Sequence, residues 1–205
     1  MIPVLLPLLL LQAAPLTEVS PAKSCGVSVT RAASGLGQCD AVKRAKHGWL
    51  GLLQSAKGWS LSPLLSRKSD GGEAFNGLCV EEPTWASVAL RGATLKAGPL
   101  WVAELTGDAD CRLPSTEVTL GGTRWTVSRR EGGKLELADS TRSIELRLGS
   151  DCWTSAAITD LDRDGVPDLI AVREGGGFTF VVLLSSTRSP DGVVRVCAAA
   201  SGPPC

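Results

Sequence analysis

The residues best suited to chemistry in this chain stand together in one run, Asp160-Leu161-Asp162-Arg163-Asp164-Gly165-Val166-Pro167-Asp168. With Asp160 as position 1, aspartates fill positions 1, 3, 5 and 9, and glycine fills position 6. Calcium takes six to eight oxygen ligands at about 2.3–2.6 Å. In a tightly curled loop alternate residues turn inward, so Asp160, Asp162 and Asp164 supply three carboxylates. Gly165 permits the sharp turn. The carbonyl of Val166 is expected to face the ion, and Asp168 to close the cage, directly or through a water. Four aspartates this close repel one another unless a cation or protons neutralise them. Magnesium suits the pattern less well, because it prefers rigid octahedral sites that keep several waters. Aspartate and glycine also build ordinary turns, and the pattern alone leaves that reading standing beside calcium.

The loop departs from an EF-hand in one decisive place. Position 12, where that loop carries a bidentate glutamate, is Ala171. Pro167 also disfavours an exiting helix. The flanks, Ser155-Ala156-Ala157-Ile158-Thr159 and Leu169-Ile170-Ala171-Val172, read as buried strands, so the loop is expected to join strand to strand. On these residues AITDLDRDGVPDLIAV resembles the calcium loops of FG-GAP and VCBS-type repeats, roughly D-x-[DN]-x-D-G-x-x-D-[LI] between hydrophobic strands. GGGFTFVVLLSS resembles the strand that continues such a unit. The chain is also similar to a group of small exported bacterial proteins of unknown role with one such loop near the C-terminus. The resemblance covers about residues 153–186 and says little about residues 15–150. It implies calcium at Asp160, Asp162, Asp164 and Asp168. Many members of the family build seven-bladed propellers from repeated copies. One copy does not imply a complete propeller.

Positioning such a loop requires strands on either side of it. Trp125-Thr126-Val127-Ser128, Leu135-Glu136-Leu137 and Ile144-Glu145-Leu146-Arg147-Leu148 alternate apolar and polar residues, the period of a half-buried antiparallel strand. Further strands are expected at Val27–Val29, Trp49–Gln54, Trp59–Leu65, Leu78–Val80, Ser87–Arg91 and Leu100–Leu105. Others are expected at Ala156–Thr159, Leu169–Arg173, Phe178–Ser185 and Val193–Ala198. Glycine pairs at 71–72, 121–122 and 132–133, the triplet at 175–177 and Pro190-Asp191-Gly192 mark turns. Asp40–Lys46 fits one helical turn, and no segment sustains a helical period. The expected fold is mainly β, an antiparallel sandwich or open barrel held by disulfides, with residues 25–205 as a single domain.

Composition and cysteines point to a compartment. The 205 residues are 43% hydrophobic and 20% charged, which suits a packed globule and not a disordered chain. Lys plus Arg (21) balances Asp plus Glu (21), so no global field draws in nucleic acid or an anionic membrane. Residues 1–14 read as a signal peptide: MIPVLLPLLLL carries an apolar core of about nine residues, far short of the ~20 that span a bilayer. Residues 15–24 read as a loose tether. No later stretch is long and apolar enough to cross a membrane. Seven cysteines, none in a C-x-x-C pair, fit disulfides in a secreted, periplasmic or envelope protein. Nearness in sequence suggests Cys25–Cys39, Cys79–Cys111, and Cys152 with Cys197 or Cys205, with one thiol left over.

The remaining candidates carry less. His47 is the one histidine, and nothing local gives it a nucleophile or acid partner. The basic cluster before it, Lys43-Arg44-Ala45-Lys46, reads as a solvated face. Glu81-Glu82 and Asp108-Ala109-Asp110 read as loop carboxylates, and Glu81 and Glu82, if extended, would point to opposite faces and share no site. The six tryptophans (49, 59, 85, 101, 125, 153) read chiefly as β core, with Trp153 packed on a disulfide at Cys152. The expected function is therefore an exported, non-enzymatic calcium-binding protein in which the ion is structural. The alternative is a carbohydrate-binding or adhesion module using exposed tryptophans, with an extracellular protein or polysaccharide as partner. Extracellular sites bind calcium at about 10⁻⁴–10⁻³ M. In roughly millimolar calcium that adds only about 0.4–1.4 kcal/mol, enough to order a loop but not to carry the fold.

Overall fold

The computed structural model describes residues 25–34, 48–68, 78–80, 84–149, 152–174 and 177–202. The expected signal and tether segments, the helical turn expected at Asp40–Lys46, His47 and Glu81-Glu82 lie outside the described residues. The first part of the chain forms β1 (Val27–Ser34), β2 (Leu50–Ser55), β3 (Gly58–Pro63), β4 (Ser66–Lys68), β5 (Leu78–Val80), β6 (Val88–Gly92) and β7 (Gly98–Leu100). These make one sheet in the order β4-β5-β1-β6-β2-β3-β7. Next come β8 (Val102–Thr106), β9 (Thr116–Leu120), β10 (Thr123–Arg130), β11 (Lys134–Ala138) and β12 (Ser143–Arg147). Last are β13 (Ser155–Thr159), β14 (Asp168–Glu174), β15 (Phe178–Leu183), β16 (Val193–Arg195) and β17 (Ala198–Gly202). They divide between an outer sheet, β16-β12-β11-β10-β9, and a central sheet, β17-β15-β14-β13-β8. All pairings are antiparallel except β1 with β5 and β12 with β16. The molecule is mainly β, with layered sheets and no closed barrel.

Side-chain period decides which sheet lies inside. In β10, β11 and β12 the apolar set Trp125, Val127, Leu135, Leu137, Ile144 and Leu146 is buried. The intervening residues face water and form ion pairs such as Arg130–Glu136 and Lys134–Glu145. This is the alternation of a sheet with one wet face. β13, β14 and β15 instead read as continuous apolar runs, because both their faces are covered. Leu169 and Ala171 pack with the outer sheet's residues, while Ile170 and Val172 pack with Leu52, Leu61, Val88 and Leu90 of the seven-stranded sheet. The loop between β13 and β14 therefore hangs from the most enclosed hairpin of the fold.

Several expected boundaries move. Val193–Ala198 is not one strand: β16 joins the outer sheet and β17 the central one, with Val196 and Cys197 crossing between them. Leu100–Leu105 divides likewise, and Trp101 is the residue between β7 and β8. Strand β4 was not signalled by apolar alternation, since Ser66-Arg67-Lys68 is polar throughout, while β9 carries a short alternation at Val118 and Leu120 that lay outside the expected strands. The disulfide expectations are corrected. Cys25 pairs with Cys197 and Cys111 with Cys152, with Cα–Cα distances of 5.6 and 4.7 Å. Sequence nearness misleads here because the sheets pack remote strands together: 172 positions separate Cys25 from Cys197. That bridge ties the start of β1 to the start of β17, hence the seven-stranded sheet to the central one. The second holds the 107–115 loop against Trp153, whose N–H donates to the Cys111 carbonyl at 2.5 Å. Trp153 is buried in the core, as expected.

Candidate metal centre

β13 and β14 pair in register from Ser155 with Val172 to Thr159 with Asp168. The acidic segment is thus the connection of an antiparallel hairpin, strand to strand as expected. Its backbone is curled by its own side chains. The Asp160 carboxylate accepts the N–H groups of Asp164 and Gly165, each at 3.0 Å. Asp164 accepts the N–H of Val166 at 2.8 Å. Arg163 and Gly165 both take positive φ, +60° and +83°, and only the glycine does so without strain. Leu161 is fully buried in the core between the central and seven-stranded sheets, so position 2 pegs the loop from below. Its carbonyl accepts the Lys96 N–H at 3.2 Å. The Arg163 guanidinium reaches outward to the carbonyls of Lys96, Ala97 and Pro99 at 3.1–3.4 Å. Gly98 leaves the room for it: a Cβ there would lie 2.5 Å from Arg163 Nη2.

Three of the expected ligands converge. One carboxylate oxygen each from Asp160, Asp162 and Asp168 lies within 4.8 Å of the others, a group able to hold a metal ion. Asp164 is outside that group, and its carboxylate sits 3.4–3.5 Å from Ser185 Oγ. Val166 O also lies 3.5 Å from Ser185 Oγ. Asp168 is wholly buried, with its oxygens accepting the N–H groups of Leu161 and Ser185 at 2.7 Å each. Asp162 is 6% exposed. Its Oδ2 accepts from Ser186 Oγ, while its Oδ1 is buried with no hydrogen-bond partner. A buried carboxylate oxygen without a donor is costly. Ser185 and Ser186, in the 3-10 turn after β15, are site residues that reading the loop alone did not single out. The signal for them was the serine pair closing the unit at residue 186.

The electrostatics are those of an incomplete charge set. Burial raises the Asp164 carboxyl, and the neighbouring Asp162 and Asp160 charges raise it further, against the opposing Val166 N–H. Burial pushes Asp168 up to about 8, outweighing its two N–H bonds, with Asp162 adding to the rise. Among the described residues no lysine or arginine forms an ion pair with these aspartates. Hard oxygen donors, excess negative charge and an unpartnered Asp162 oxygen fit a hard divalent cation.

The other candidates fall out plainly. Asp108 Oδ1 accepts the N–H groups of Asp110 and Arg112, a loop-capping role. Trp125 and Trp153 are core, and Trp49, Trp59 and Trp85 are half-buried. Trp101 alone is exposed, at 71%, so no stripe of exposed tryptophans exists. No described helix is long and apolar enough to cross a membrane. In comparisons with family models, curated proteins and solved structures, none matches this chain.

Proposed function

We propose that this chain is an exported β protein whose Asp160–Asp168 loop holds one calcium ion in a structural, non-catalytic role. The observation that carries the reading is the buried, unpartnered Asp162 Oδ1 inside a group of three carboxylates. Asp160, Asp162 and Asp168 supply the first oxygens. The Val166 carbonyl and Asp164 complete the cage on the reading of a single FG-GAP/VCBS-type unit. The bound ion neutralises the loop and ties Asp168, at the head of β14, to the turn above it. Two disulfides support a secreted, periplasmic or envelope location, since such bridges persist in oxidising compartments.

Isothermal titration calorimetry with calcium on the oxidised chain is expected to show one site. Melting in calcium is expected to exceed melting in chelator by about 0.4–1.4 kcal/mol of stability. Asp162→Ala combined with Asp164→Ala should abolish that difference and leave the β circular dichroism unchanged. Equal melting of the wild-type chain in calcium and chelator, with no heat of binding, sinks the reading.

A further inference from the structure

A cavity of about 400 Å³ opens beside the acidic loop, within the ~300–1,000 Å³ of small-molecule sites. Its walls come from three places: the loop itself, the β7–β8 crossover and the β9–β10 hairpin. We infer that this cleft binds a neutral pyranose, stacked on Trp101, and that calcium in the adjoining loop strengthens the binding.

Trp101 carries the first half of the argument. Among the described residues it is one of two large apolar side chains that are strongly exposed. Its backbone is fixed at both ends, since β7 before it belongs to the seven-stranded sheet and β8 after it to the central sheet. The indole thus lines the cleft from a backbone held at both ends, with most of its surface in water. Across from it the hairpin turn is glycine, and a Cβ on Gly121 would lie 3.9 Å from Trp101 Cδ1. The walls supply the second half. Asp160 and Arg163 bring charges of opposite sign, and Thr123 brings a hydroxyl. A singly charged ligand would gain from one of the pair and be repelled by the other. An apolar ligand would strip water from the lone pairs and N–H groups that Asp160 and Arg163 keep beyond their backbone bonds, at a desolvation penalty. A pyranose matches both features: an apolar C–H face for the indole, and hydroxyls that donate to the carboxylate and accept from the guanidinium.

The coupling follows from which residues form the wall. Asp160, Arg163, Gly165, Val166 and Pro167 belong to the acidic loop, so an ion that orders the loop also shapes the cleft. Linkage makes the effect reciprocal: a sugar that binds the ordered loop raises calcium affinity by the same factor. The coupling rests on the calcium reading, whereas the Trp101 platform does not.

The full oxidised chain, loaded with calcium, is applied to an array of neutral oligosaccharides built from glucose, galactose, mannose and xylose. The best binder is then titrated by calorimetry against wild type, Trp101→Ala, Trp101→Phe and the Asp162→Ala/Asp164→Ala double variant. Trp101→Ala is expected to weaken sugar binding about tenfold or more while leaving the calcium titration unchanged, and Trp101→Phe to restore part of it. Chelation and the double aspartate variant are expected to weaken the sugar severalfold. A calcium-loaded chain that binds no neutral sugar, or binds only acidic glycans, overturns the cleft proposal and leaves the calcium reading intact. Equal sugar affinity in Trp101→Ala also overturns it. Trp101-dependent sugar binding that ignores chelator keeps the platform and overturns the coupling.

Discussion

The turn between β11 and β12 and the loop between β13 and β14 both begin on an aspartate, yet they complete its charge differently. Asp139 Oδ1 accepts the N–H of Thr141 at 2.7 Å and of Arg142 at 2.6 Å. The Thr141 hydroxyl adds a third bond, and the Arg142 guanidinium pairs with Oδ2 at 2.8–2.9 Å. The Thr141 N–H, with the Arg142 and Thr141 side chains behind it, holds this carboxyl well below the usual carboxylate range. Asp191 repeats the pattern with Arg195 and Ser189. In the acidic loop the shifts run the other way. Its one arginine, Arg163, is turned onto the carbonyls of Lys96, Ala97 and Pro99. Asp139 and Asp191 each pair with an arginine of their own turn, whereas among the described residues the acidic loop's aspartates pair with none. The distinction lies in where the nearest arginine goes.

The sharpest break in the comparison is at position 2. Leu161 is fully buried under its loop, whereas Ser140, the equivalent residue of the Asp139 turn, is exposed. Leu161→Ala should cost about 2–5 kcal/mol in denaturant unfolding, as a large-to-small core change does. The loss should be similar in calcium and in chelator, because the peg acts on the core and not on the ion. A loss under about 1 kcal/mol would show that the loop is not anchored from below.

Next in size is the pH response, where the two turns tilt stability in opposite directions. Without the ion, folded Asp168 keeps its proton up to about 8, while the unfolded chain releases it near pH ~3.9. The folded state binds more protons across that window, so stability is full below it and falls as pH rises through it. In chelator the melting temperature should therefore decline from about pH 5 to 8, and Asp168→Asn should flatten the decline. On the calcium proposal the ion competes with that proton, so calcium affinity should climb over the same range. Asp139 contributes with the contrary sign: its stabilisation is present above the ordinary carboxylate value and is lost as pH falls through the lowered one. Equal slopes for wild type and Asp168→Asn in chelator would remove the burial argument for Asp168.

Periodicity made much of this readable in advance. The outer sheet was legible because one wet face enforces alternation from Trp125 to Leu148. The hairpin around the acidic loop was legible because strands buried on both faces need unbroken apolar runs. Loop spacing, which is local, joined Asp160 and Asp162 to Asp164, whereas the structure groups them with Asp168 at the head of β14 and leaves Asp164 outside. What stayed hidden is non-local. The Cys25–Cys197 bridge depends on which sheets pack, and Ser186 reaches Asp162 from the far end of another strand. Trp101 looked like core because a crossover between sheets leaves no mark in an apolar run. The outward turn of Arg163 depends on a gap above Gly98 that no pattern encodes.

The smallest effect is the one that asks whether the two turns are independent. Arg142 pairs with Asp139, stacks its guanidinium 5.0 Å from the Trp125 ring centroid, and donates to the Gly165 carbonyl at 3.4 Å. Asp139→Asn keeps an oxygen for the Thr141 and Arg142 N–H groups but removes the counter-charge. A slight loss of stability is expected, the same in calcium and chelator, and shrinking in acid as the wild-type carboxyl protonates. If the turns are separate devices, the calcium titration should change by less than about twofold, or ~0.4 kcal/mol. A larger drop in calcium affinity would mean that the freed guanidinium acts on the loop through Gly165. Asp139 would then serve to keep a competing positive charge away from the carboxylates, and the boundary between a turn aspartate and a site aspartate would run through Arg142.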